Sequence, residues 1–184
     1  MAKILVVYAT TDGHTAKVAR EIGIALRKAG ADAHVLKASG TLAGPEGFAG
    51  VIVAASVLAG RHQAGVRRWV QRHAAALANV PSAFVSVCLM VRDPAAAPAL
   101  AAVMSRFENR CGWRPTVTKH VAGALLYRQY GWVKRWMMKR IVAQHHGDTD
   151  TSRDYEYTDW EDVRRFASDF ARRLEESTAV SGAA

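Results

Sequence analysis

Residues 3–9, Lys-Ile-Leu-Val-Val-Tyr-Ala, form an unbroken run of β-branched, aliphatic and aromatic side chains. A strand with one wet face would alternate, so this run predicts a central strand buried on both faces. The period then changes. Between residues 15 and 29, Val18, Ala19, Ile22, Ala25, Leu26 and Ala29 fall at helical spacing, and Gly30 follows as a C-cap. The alternation repeats, with strands predicted over 33–37, 51–55, 83–88 and 116–122. Between and after them, helical stripes run through Val66, Trp69, Val70, His73, Ala74 and Leu77, through Leu100, Val103, Met104 and Phe107, and through Trp160, Val163, Phe166, Ala167, Phe170 and Leu174. Thr158 and Glu161 have the spacing of a capping box for the last of these. His73 sits on an apolar stripe and is read as a core or boundary residue with no chemistry.

Five apolar strands alternating with helices predict a doubly wound α/β fold, because each βαβ crossover lays a helix against a parallel sheet. No linker or repeat divides the chain, so residues 1–176 are expected to form one domain, with 177–184 as a flexible tail. Ligands of such sheets bind beyond the carboxyl ends of the strands. The loop after the first strand reads Thr10-Thr11-Asp12-Gly13-His14-Thr15 and opens a helix. Hydroxyls, a glycine and free backbone N–H groups at a helix start suit a phosphate. A nucleoside-triphosphate loop would need Gly-Lys-Ser/Thr and a dinucleotide loop GxGxxG; neither follows this strand, so a single phosphate fits better. The residues alone equally allow a polar turn with Asp12 as N-cap.

Composition narrows the class without choosing a function. With 184 residues, 50% of them hydrophobic and 22% charged, the chain is too apolar for disorder and can bury a core without staples. Cys88 and Cys111 are too few for a disulfide framework, no Cys/His cluster has metal-site spacing, and the adjacent His145 and His146 would diverge on a helix, so no metal is expected. The apolar run at the N-terminus is too short for a signal segment, and no stretch reaches membrane-spanning length; a cytoplasmic location is expected. Charge is unevenly divided. Residues 1–147 carry 20 Lys and Arg against 6 Asp and Glu, a net +14, while residues 148–184 carry 5 against 10, a net −5. The basic part suits an anionic partner: nucleic acid, lipid or small molecule.

Before the last helix lies a segment at about 127–147 with Arg128, Lys134, Arg135, Lys139 and Arg140, no acid as far as His146, and Tyr127, Tyr130, Trp132 and Trp136. On a wheel Trp132, Val133, Trp136, Met137, Ile141 and Ala143 share one half, broken by Arg140, and Lys134, Arg135 and Lys139 lie on the other. Such a helix can lie in a membrane interface, cover an anionic aromatic substrate, or pack its Trp and Met side chains into the core.

The loop of residues 10–15 resembles the Thr-x-Thr-Gly-x-Thr phosphate loop of flavodoxins, with Asp12 at the middle threonine. Together with Ala55-Ser56, Pro81-Ser82-Ala83-Phe84, Trp113-Arg114-Pro115, Ala122-Gly123-Ala124-Leu125, Thr149-Asp150-Thr151 and Tyr157-Thr158-Asp159-Trp160-Glu161, the chain from Lys3 to about Leu174 resembles the flavodoxin-like, menaquinone-dependent protoporphyrinogen IX dehydrogenases of haem synthesis. That resemblance implies a five-stranded parallel sheet in the order 2-1-3-4-5 with a basic helical insertion before the last helix. It also implies FMN, a protoporphyrinogen IX substrate, a membrane quinone such as menaquinone as acceptor, and peripheral attachment to the inner face of the cell membrane. Carried onto this chain, it implies FMN contacts from Thr10, Thr11, Asp12, Gly13, His14 and Thr15, from Ser56, from Ser86, Val87, Cys88 and Leu89, and from Gly147, Thr149, Asp150 and Thr151. Substrate or membrane contacts fall to Arg128, Trp132, Lys134, Arg135, Trp136, Lys139 and Arg140. The loop 56–62 should flank the flavin ring, yet it reads Val57-Leu58-Ala59-Gly60 where relatives carry Ile-Arg-Tyr-Gly; Arg61 and His62 are read chiefly as solvated surface groups. No acid–base pair stands out, so no catalytic side chain is named. The alternatives are a flavodoxin-type electron carrier, which usually presents an acidic face, and an NAD(P)H:quinone reductase; a nucleic-acid role lacks any groove-reading element.

Overall fold

In a computed structural model describing residues 1–39, 41–144 and 148–181, the chain forms the expected layered α/β sheet. Strands β1 (Lys3–Ala9), β2 (Asp32–Lys37), β3 (Gly50–Leu58), β5 (Ser82–Cys88) and β6 (Val117–Ala122) are all parallel, in the order β2-β1-β3-β5-β6. Counting only these five, the order is the anticipated 2-1-3-4-5. Two pieces were not anticipated. A short β4 (Arg61–His62) folds back antiparallel onto β3, and β7 (Ala124–Leu125) pairs with β8 (Tyr155–Glu156) in a separate ribbon.

Residue parity sorts the core into two layers. Ile4, Val6, Ile52 and Val85 face α1 (His14–Lys28) and α5 (Trp160–Ser181), which contribute Ile22, Leu26, Val163, Phe170 and Leu174. Leu5, Val7, Val51, Val53 and Phe84 face α2 (Ala64–Leu77) and α3 (Ala97–Cys111), which contribute Trp69, Val70, Leu77, Met104 and Phe107. The helix α4 (Trp132–Gln144) of the inserted segment belongs to neither layer; Met138 and Val142 join Leu125, Tyr127, Tyr130 and Leu89 in a small third cluster.

Two local expectations are corrected. Thr158 does not cap α5: its hydroxyl donates to the Ala122 carbonyl at 2.6 Å, and Asp159, one residue nearer the helix, accepts from the Asp162 amide at 3.0 Å. α5 also continues to Ser181, well into the segment expected as a tail.

The central sheet and α5 approach closely at Gly50. A Cβ there would lie 2.5 Å from Leu174 Cδ1 and 3.1 Å from Phe170 Cε1. Gly50→Val should therefore lower unfolding stability by about 1–3 kcal/mol through overpacking, with a smaller loss for Ala. A urea titration checks this; an unchanged midpoint for both variants would mean that α5 does not seat against β3.

Candidate functional site

The carboxyl ends of β1, β3 and β5 open into one cleft. Thr10, Thr11, Asp12, His14 and Thr15 form its floor; Ser56, Val57 and Leu58 one wall; Val87, Cys88 and Leu89 the next; Gly123 and Ala124 complete the sheet side. Tyr130, Lys134 and Met138 of the inserted segment close it from above.

The floor is built around Gly13. Its φ of +88°, in the left-handed region, lets the chain turn from β1 into α1, and nothing lies within 4 Å of where a side chain would be. Gly13 is itself the N-cap, its amide donating to Thr10 Oγ1 at 2.9 Å. No side chain caps α1 and no acid stands in its first turn, so the amides at the helix start face the cleft's floor without a carboxylate on them. This removes the polar turn capped by Asp12. Asp12 is not the cap, because its carboxylate is held by Lys134 of α4.

His14 is buried beside this floor. Thr158 spends its proton on Ala122, so its oxygen accepts from His14 Nε2–H at 2.7 Å. Burial, partly offset by Glu156, pushes the His14 pKa down, and the ring serves as a neutral donor that anchors the loop to the start of α5.

Of the other implied site residues, some reach the cleft and some do not. Ser86 has the parity of Phe84 and points to the far face of the sheet, where its hydroxyl meets His62 Nε2 at 2.9 Å. His62, expected at the surface, is only 5% exposed and sits edge-on between Phe84 and Phe107; Arg61 is exposed. Thr149, Asp150 and Thr151 are not among the residues lining the cleft; the Asp150 carboxylate instead accepts from the Ser152 amide and hydroxyl. Gly147, like His145 and His146, lies outside the described residues. In the inserted segment Lys134 lines the cleft, whereas Arg135 donates to the Tyr127 and Tyr130 carbonyls at 3.0 Å each and braces the segment from within. Arg128, Lys139 and Arg140 are exposed, and so are Trp132 at 83% and Trp136 at 60%. The half of α4 with most of the apolar residues thus faces outward, and Met138 and Val142, from the other half, dock it.

Val57 and Leu58 come from the loop expected beside the ring and Tyr130 from the basic segment, whereas Gly123, Ala124 and Met138 carry no site expectation from the sequence. Tyr130 carried the clearest signal, as an aromatic at the entry to a basic helix.

Residues at the cleft fit FMN in kind: uncapped helix amides and threonine hydroxyls for a phosphate, then Val57, Leu58, Val87 and Met138 as apolar walls for a flat ring. Behind the floor, Gln63 donates to the Thr11 hydroxyl. A doubly wound sheet with a glycine-opened, uncapped helix at its carboxyl edge is the architecture of a flavodoxin-type protein.

Comparison with known proteins agrees. Residues 5–152 match the flavodoxin domain family. The chain is 34% identical over 179 residues to a protoporphyrinogen IX dehydrogenase [quinone] of Escherichia coli K12, covering 96% of this chain and 98% of that one. It is 35% identical over 173 residues to a protein of the same name from Leishmania major, covering 92% and 74%. An oxidised flavodoxin from Bacillus cereus superposes with a TM-score of 0.56 at 13% identity over 93% of this chain and 98% of its own, which bears on the fold alone. The chain belongs to the flavodoxin-like protoporphyrinogen IX dehydrogenase family, a family of oxidoreductases.

His62 makes the hairpin beside the cleft sensitive to acid. Burial, reinforced by nearby His120, holds its pKa down at about 4, so the folded protein keeps the ring neutral while the unfolded chain binds a proton near 6.5. Stability from this group is fully present above pH 6.5 and is lost as pH falls from 6.5 to 4, roughly 3 kcal/mol in all. Urea midpoints measured between pH 7 and 4.5 should fall less steeply for His62→Gln than for the wild type; parallel slopes would remove His62 as the cause.

Proposed function

We propose that this chain binds FMN in the cleft and oxidises protoporphyrinogen IX to protoporphyrin IX for haem synthesis, with menaquinone or a related quinone as acceptor. The observation that carries the reading is the cleft itself: a floor of threonine hydroxyls at an uncapped helix start under an apolar slot, roofed by a basic aromatic segment. The names of the E. coli and L. major relatives support the choice of substrate and acceptor.

FMN, when bound, supplies two-electron chemistry. Conversion of the porphyrinogen to the porphyrin removes six electrons and six protons, balanced by reduction of three quinones to quinols. The chain's own residues bind and orient. The floor of Thr10, Thr11 and Thr15 with the α1 amides holds the phosphate; Val57, Leu58, Tyr130 and Met138 shield the ring edge from water. Exposed Arg128, Lys139 and Arg140 offer cations to propionates.

No helix among the described residues is long and apolar enough to cross a membrane. On the proposed reading a lipid quinone is met at the membrane surface. The outward face of α4, with Trp132, Val133, Trp136, Met137 and Ile141 exposed on the same helix as exposed Lys139 and Arg140, is the part proposed to lie in an anionic interface on the cytoplasmic side. Each such cation adds about 1 kcal/mol near the surface.

Two measurements test this. Mixed anaerobically with protoporphyrinogen, the FMN-loaded protein should lose its oxidised flavin spectrum and regain it on adding a menaquinone analogue, with no nicotinamide present. Bleaching by NADH but not by porphyrinogen would point to a quinone reductase, and by neither to an electron carrier. In vesicle sedimentation, binding should be stronger on anionic than on neutral lipid, weaken with salt, and weaken again in a Trp132→Ser/Trp136→Ser variant. Equal binding to both lipids would rule out the electrostatic attachment.

A further inference from the structure

The phosphate floor carries no cation of its own. Residues 10–15 include neither Lys nor Arg. The nearest lysine on α1, Lys17, is committed elsewhere: its ammonium meets both Glu156 carboxylate oxygens, at 2.8 and 2.9 Å, and stands 4.6 Å from the Trp160 ring centroid. Among the described residues lining the cleft, Lys134 is the one lysine or arginine, and it arrives from α4, more than a hundred residues along the chain from the loop. It spans the cleft to pair with Asp12, and its ammonium lies 4.3 Å from the Tyr130 ring centroid.

That arrangement places a carboxylate one residue before the N-cap of α1. A phosphate monoester entering there brings about −1.5 to −2 charges at neutral pH, more than the single charge of Asp12, and it sits on the positive end of α1. The ammonium is then drawn between the two anions and toward the stronger. We propose that Lys134 is a phosphate ligand delivered by the inserted helix, and that its pair with Asp12 holds it in place until a phosphate takes the ammonium over. Cofactor occupancy and docking of α4 are thereby coupled. The inference rests on the reading of the cleft as an FMN site and deepens it.

The rest of α4's attachment makes the coupling physically reasonable. Arg135 ties the helix to the Tyr127 and Tyr130 carbonyls, and Met138 and Val142 add a small apolar contact. Among these, Lys134 is the contact that reaches the cofactor loop. A phosphate bound beneath it replaces the single-charge partner Asp12 with a more strongly charged one and so tightens that anchor.

A purely structural ion pair makes a different prediction: losing either partner breaks the same contact, so both losses act alike. A ligand lysine held by a competing carboxylate predicts opposite signs. The test is fluorescence titration of the full-length apoprotein with FMN and with riboflavin, which lacks the phosphate. Lys134→Gln should raise the Kd for FMN about tenfold while changing that for riboflavin by less than about twofold, and Lys134→Arg should restore most of the difference. Asp12→Asn should leave FMN binding as tight as in the wild type or several-fold tighter. FMN should also slow tryptic cleavage after Lys139 and Arg140 in the wild type and not in Lys134→Gln. Equal losses for FMN and riboflavin in Lys134→Gln, or FMN affinity lowered alike by Lys134→Gln and Asp12→Asn, would overturn the proposal and leave a structural pair. Wild type that binds FMN with Lys134→Gln unaltered would overturn it alone; wild type that takes up no FMN would overturn the cofactor reading as well.

Discussion

β3 and β5 lie between two helical layers and contain no charged side chain, because a charge buried on either face would have to be paired or neutralised. Burial on both faces is what holds these strands in register, and it also removes them from chemistry. Ser86, inside β5, is taken up by His62; the groups that line the cleft come where the strands run out: Thr10 and Thr11 after β1, Ser56 near the end of β3, Cys88 at the end of β5. The order β2-β1-β3 then sends the chain to opposite sides of β1, opening a crevice between the loops after β1 and β3. The position of the site thus follows from the core.

One wall of that crevice is itself under tension. The hairpin joining β3 to β4 turns on Ala59 and Gly60, with φ of +48° and +69°. Two left-handed residues in a two-residue turn suit the twist of a hairpin, but a side chain at the first costs on the order of 1 kcal/mol. The hairpin is kept in place from behind: His62 is locked edge-on between Phe84 and Phe107 and bonded to Ser86, and Arg106 donates to the Gly60 carbonyl at 3.0 Å. The neutral, buried imidazole therefore supports Val57 and Leu58 without touching the cleft.

How much of this could be read from the residues differs by element. Strands buried on both faces announce themselves by unbroken apolar runs, and the loop after β1 by its hydroxyls and glycine. Likeness alone puts Ser86 in the cleft, whereas its hydroxyl is taken up by His62, two residues short of the end of β5. His62 was legible only as a polar residue near a turn, since its burial depends on β4 pairing with β3, a contact no local pattern encodes. The inserted helix defeats a wheel because apolar residues occur on both halves. Which half docks was decided by long-range contacts, Arg135 to two carbonyls and Lys134 to Asp12, leaving the tryptophans outside.

The distribution of charge follows the same division between core and edge. Acids of the C-terminal segment pair with cations of the sheet layers: Glu156 with Lys17, and Asp162 with Lys119 at 2.5 Å and with Arg165 at 3.1 Å. Their negative charge is thus spent around α1, β6 and α5, while the basic excess of residues 1–147 extends into α4, which carries Lys134, Arg135, Lys139 and Arg140 and no acid. Lys134 and Arg135 are consumed in docking the helix, and Lys139 and Arg140 remain outward with the tryptophans. On the proposed reading these two pairs divide the work by depth. The inner cations fix the helix over the cofactor, and the outer ones, backed by exposed aromatic rings, set which anionic surface or substrate the cleft meets.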